Sequence, residues 1–137
     1  MQDVVISVVS TVLSDDDSEN MEFNTIGRML IKDGVCRLYY DEDDGSGNSS
    51  AFIKATNDTV TIQRDGVAAS RLTVKAGERC VGHYDMGAMG MMVGFTGRRV
   101  EVSFDESGAD INLEYAVDIN ASPISVNTVC IKATLAN

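Results

Sequence analysis

The chain's one histidine, His83, follows Cys80 by three positions and precedes Asp85 by two. Those residue types could form a thiol nucleophile, a base and an orienting carboxylate, provided they lie within hydrogen-bond reach of one another. In an extended strand they cannot. Cys80, Gly82, Tyr84 and Met86 then share one face, while Arg79, Val81, His83 and Asp85 share the other. His83 reads as a solvent-facing histidine, and no catalytic residue is assigned. The three cysteines, Cys36, Cys80 and Cys130, are widely spaced with no CxxC or CxxH pattern. They predict buried, reduced thiols and give no support to a zinc site. The cluster Met86, Met89, Met91 and Met92 offers thioethers that soft copper(I) would accept. Methionine is more commonly an adaptable gap-filler, and the expectation here is either a cavity lining or contact surface, or a plain place in the core.

Other chemical signatures are weak. Residues 41–48, DEDDGSGN, lack the alternating ligands and terminal glutamate of an EF-hand and read as a solvated loop, as does the acidic run at 15–17. There is no GxGxxG, P-loop or GxSxG pattern. The glycine-rich stretch at 87–94 has neither the lysine nor the following helix that phosphate binding requires. The expectation is no metal and no cofactor.

The elements that would position these residues are strands. With 137 residues and 44% apolar content, the chain suits a single domain, 1–137, able to fold without disulfide or metal. Twenty-one acids against eleven bases give a net charge of −10, which disfavours nucleic acid and anionic membrane surfaces as partners. The first residues lack a basic signal region, and no apolar run reaches the ~20 residues of a membrane-spanning helix. A cytoplasmic protein is expected.

Residues 4–13 (VVISVVSTVL) are β-branched almost throughout and predict a strand. An acidic turn at 14–20 precedes a strand at 21–32, where Gly27 suggests a bulge or a close backbone approach. Asp33-Gly34 and Asp65-Gly66 are two-residue hairpin signals. Strands are expected at 35–41, 51–56, 59–64, 67–75, 109–119 and 124–135, with Pro123 in the turn before the last. Residues 76–104 should hold two strands joined by a Gly/Met-rich bend. Turns recurring every ~8–12 residues predict an all-β sandwich or barrel. Consecutive hairpins favour a single up-and-down antiparallel barrel of about eight to ten strands, whose closure removes exposed edges.

Strand alternation then selects inward residues. Val60, Ile62 and Arg64 share a face, so Arg64 points with the apolar side chains. Buried charge is costly without a partner. Arg64 is therefore either a plug for the barrel end or an anchor for a ligand's carboxylate. Ile111, Leu113, Tyr115, Val117 and Ile119 form another apolar face, which brings Tyr115 inward. Tyr40 and Tyr84 would add polar points to such a pocket.

The order of several short motifs resembles the YwiB-like family of small bacterial proteins. They are Phe23-Asn24-Thr25-Ile26-Gly27, Leu38-Tyr39-Tyr40, the run from Val60 to Gly66, Tyr84 followed by Gly90, Thr96, and Leu113-Glu114-Tyr115. The resemblance implies a calycin-like (lipocalin-type) barrel and carries over no catalytic or ligand residue. Gly90 lies one position farther from Tyr84 than in the family's pattern, so an extra residue or bulge is expected between them. The functional expectation is non-catalytic binding of a small, partly apolar, anionic ligand in the barrel. Arg64, Tyr40, Tyr84, Tyr115 and Met86 would be its contacts. The alternative is a homodimeric assembly module using residues 86–92 and an edge strand, and the third reading is an enzyme built on His83 or a thiol.

Overall fold

The computed structural model describes residues 1–15, 17–43, 48–65, 70–86, 89–119 and 121–136; for 42–43, 48–49, 70, 83–86 and 89–92 it describes the backbone alone. These residues form ten strands: β1 (Gln2–Ser14), β2 (Asp17–Lys32), β3 (Val35–Asp43), β4 (Asn48–Ala55), β5 (Thr59–Asp65), β6 (Ser70–Lys75), β7 (Arg79–Met86), β8 (Met89–Asp105), β9 (Gly108–Ile119) and β10 (Ser122–Leu135). Each pairs antiparallel with the next in the chain, and β10 returns to β1, which closes the meander into the expected up-and-down barrel. Among the described residues, no helix is long and apolar enough to cross a membrane.

Alternation governs every wall. In β1, Val4, Ile6 and Val8 are buried while Val5 and Val9 face out. At Asp33-Gly34 both residues take positive φ, 55° and 76°. This is the left-handed conformation that a two-residue hairpin needs, and it lets Lys32 pair directly with Val35. Gly27 proves to be a close approach and not a bulge. The registers on both sides run through it unbroken, and a Cβ there would strike the Tyr39 carbonyl and the Ile6 side chain.

Three local expectations are corrected. The acidic stretch 17–20 is strand, not turn: Asp17, Ser18, Glu19 and Asn20 pair with Ser14, Leu13, Val12 and Thr11. The Thr11 hydroxyl also donates to Asn20 Oδ1 at 2.9 Å. A continuous partner strand outweighs the low intrinsic β-propensity of these residues. Pro123 lies inside β10, opposite Asp118, where a register shift between Pro123 and Ser125 tolerates its missing N–H. The hairpin of β7 and β8 keeps one register from Arg79↔Thr96 to Met86↔Met89, with no bulge between Tyr84 and Gly90. The irregularity falls instead in β8 against β9, between Gly97 and Arg99. Arg98 is the residue skipped there, while Gly97 stays opposite Tyr115 and on its other side binds the β6–β7 connection, accepting from Gly77 N–H at 3.0 Å and donating to the Glu78 carbonyl at 3.1 Å.

The interior is filled unevenly. Near the end where both termini lie, Val4, Ile6, Met29, Cys36, Ala55, Val60, Val74 and Ile111 have essentially no exposure. This is a solid plug of aliphatic side chains. The other end, where β1, β3, β5, β7 and β9 finish, is where the interior opens.

Candidate functional site

A cavity of about 180 Å³ lies inside that open end. Tyr40 from β3, Arg64 from β5 and Tyr115 from β9 all line it. These are three of the five residues expected as ligand contacts, and alternation places two of them, Arg64 and Tyr115, inward. The sheet register explains how they come together. Tyr40 is opposite Ala51 in β4, and Ala51 is opposite Arg64, so one row carries a phenol, a methyl and a guanidinium. The small buried Ala51 leaves space between its larger neighbours. From the far wall, Tyr115 stands opposite Asn127 of β10, whose Nδ2 donates to the phenol oxygen at 3.4 Å. Asn127 is oriented in turn by the Ser125 hydroxyl, which donates to its Oδ1 at 3.0 Å.

Below these polar groups the walls are aliphatic: Val8, Ile62, Leu72, Val129 and Ile131. Both tyrosines are buried to 5% exposure, and each is set by an aromatic neighbour. Phe95 meets Tyr115 edge-on with centroids 5.9 Å apart, and Phe23 meets Tyr40 at the same separation, tilted by 48°. Such pairs fix the plane of each ring, so each hydroxyl has a defined direction. Arg64 is half-buried. The site can therefore surround an apolar body and present hydroxyl, amide and guanidinium groups to a polar head.

Tyr84 and Met86 lie on β7, opposite Met91 and Met89 in the register, but their side chains are outside the described residues. So are those of His83, Asp85 and the methionine cluster expected to form a homodimer contact. The backbone alternation leading to them is as expected: Val81 is 53% exposed, and a Cβ on Gly82 would strike the inward Phe95 ring. Of the three thiols, all free, Cys36 is buried at the plugged end, and burial raises its pKa to about 11. It stays protonated and inert at neutral pH.

The cavity also uses residues the sequence reading passed over: Ser10, Met21 and Asn127. The signal for two of them was the two-residue period. Ser10 shares parity with the buried Val8, and Asn127 with the buried Val129 and Ile131. Met21 is set by register, opposite Ser10 in β1, and at 50% exposure it stands at the cavity's rim.

Comparison with known proteins places this architecture. A family model described as Domain of unknown function (DUF1934) matches residues 6–131. The crystal structure of the ywiB protein from Bacillus subtilis superposes with a TM-score of 0.88 at 18% sequence identity, covering 99% of this chain and 93% of that one. At that identity the likeness concerns the fold alone. No curated protein matches the sequence.

Proposed function

We propose, for a chain that belongs to the family described as Domain of unknown function (DUF1934), that it binds a small amphipathic anion in the open end of its barrel without transforming it. One observation carries the reading. Tyr40, Arg64 and Tyr115, from strands far apart in the sequence, converge on a single cavity above aliphatic walls, while among the described residues Val4, Ile6, Cys36, Val60, Val74 and Ile111 fill the opposite end with essentially no exposure. A carboxylate or similar head would meet the guanidinium in a charge-assisted, two-point contact, with the phenols and Asn127 beside it. An alkyl or aryl body would rest against Ile62, Leu72, Val129 and Ile131.

Calorimetric titration with octanoate and with octanol tests the reading directly. The pair share an alkyl chain and differ in the charged head. Octanoate should bind at least about tenfold more tightly, the value of one hydrogen-bonded charge contact, and Arg64→Met should erase the difference. Native mass spectrometry of gently purified protein provides an independent search for a retained ligand. If neither titrant binds and no added mass is carried, the reading fails.

A further inference from the structure

The barrel is not sealed along its whole height. β2 pairs with β1 from Asp17 to Met29, but with β3 only from Gly27 to Lys32. Above Tyr40, residues 41–43 of β3 pair with β4 alone. An inner strand uses its backbone N–H and C=O groups on both sides. Along residues 17–26 the side of β2 away from β1 has no backbone partner among the described residues. The fork begins beyond Gly27, the last residue of β2 paired with β3, and the Phe23 and Tyr40 rings meet beside it with centroids 5.9 Å apart. On the outer surface a cleft of about 620 Å³ opens at the same point, lined by Ile26, Gly27, Tyr39, Tyr40, Asp41 and Arg28, whose guanidinium lies 3.9 Å from the Asp3 carboxylate. Ile26 stands 72% exposed beside it.

From this geometry we infer that the β2 edge at residues 17–26 is a docking site for an extended, basic segment of a partner protein, which adds a strand to the sheet. Backbone groups supply the affinity, and charge selects the occupant. The chain has no lysine or arginine before Arg28. This edge carries Asp17 and Glu19 on one face and Glu22 on the other, with Asp41 across the cleft, all of them exposed. A second copy of this chain would set the same acidic edge against itself, with like charges brought close and few cations to offset them. A lysine- or arginine-bearing strand meets no such penalty. An apolar side chain at its end would enter the cleft next to Ile26.

The test uses the intact protein and a capped lysine-rich peptide of about ten residues, the length of this edge at ~3.4 Å per residue, with valine and threonine between the lysines. Two further versions of equal charge are N-methylated on one or the other set of alternate residues. The peptide should bind, and amides within 17–26 that exchange freely in the unbound protein should become protected. One N-methylated version should lose at least about tenfold in affinity, since several backbone bonds go with it, while the other binds normally. Glu19→Lys with Glu22→Lys should weaken the parent peptide similarly. Equal binding by both N-methylated versions would reduce the effect to bulk charge attraction and overturn the inference. So would failure to bind, or edge amides already protected in the free protein through self-association seen by light scattering.

Discussion

Arg79 and Asp118 form a two-point ion pair that reaches across β8. Arg79 Nε donates to Asp118 Oδ2 at 3.0 Å and Nη2 to Oδ1 at 2.6 Å, and the Ala121 N–H adds a third bond to Oδ1 at 3.2 Å. The guanidinium passes directly over Gly94, where a Cβ would run into its Nε, Cζ and Nη2 atoms. Gly94 is the residue paired with Val81 on one side and Asp118 on the other. The missing side chain is what lets the bridge lie flat on the sheet.

Gly94→Ala should therefore destabilise the protein, although Gly→Ala in a strand is ordinarily favourable for backbone entropy. A fall of roughly 2–5 °C in Tm is expected. The Arg79→Ala background removes the obstruction, so the same substitution there should become neutral or stabilising. Thermal unfolding of the four proteins in this cycle reads the sign reversal.

The same pair gives the stability a dependence on acid. Hydrogen bonds from Arg79 hold the Asp118 carboxyl below its ordinary range, and bonds from Ser107 do the same for Asp105. A carboxyl whose pKa is lower folded than unfolded contributes stability above the ordinary carboxylate range, near pH 4. That contribution is lost as pH falls through the folded value. The Tm gap between wild type and Asp118→Asn should thus be full at pH 6–7 and close progressively below about pH 4. A gap that persists unchanged at low pH would remove ionisation as its cause.

Thiol labelling should separate the cysteines. Cys80 and Cys130, both partly accessible, should react in the native protein at pH 8, whereas Cys36, with its pKa raised to about 11, should react only on unfolding. Cys36→Ser places a hydroxyl in the plug beside Ala55, its strand partner, and should cost about 1–3 kcal/mol. Chemical denaturation measures the loss.

Salt should move the two proposed binding events in opposite directions. The net charge of −10 repels an anion at long range, so octanoate should associate faster as ionic strength rises toward 0.15 M. The lysine-rich peptide is attracted to the acidic edge and should bind more weakly over the same interval. Stopped-flow rates for the first and anisotropy for the second decide the matter.

Much of this architecture was legible from alternation and turn chemistry. The faces of β5 and β9 put Arg64 and Tyr115 inward before any tertiary information, and Asp33-Gly34 fixed a hairpin to the residue. The ordered motifs from Phe23 to Tyr115 pointed to the family whose model matches residues 6–131. What escaped depends on the partner strand. Asp17 to Asn20 look like a loop by propensity and become strand because β1 continues beside them. Ser10 and Asn127 are polar residues on apolar faces, and only the closed ring shows that their positions border a cavity. The fork at Gly27 is a matter of where β2 and β3 part, a relation that no local pattern encodes.

The seam between the first and last strands has a consequence for the order of events in folding. Val4 pairs with Leu135, and the Ala136 N–H donates to the Asp3 carbonyl at 3.0 Å. These are the most sequence-distant pairings of the ring, and distant pairings carry the largest search cost. Joining the adjacent ends by a short linker and opening the chain at Asp33-Gly34 would turn this seam into a local hairpin. It would leave β2 and β3 to find one another across the whole length of the chain. The ring's geometry would be unchanged, but its slowest encounter would move from one seam to another.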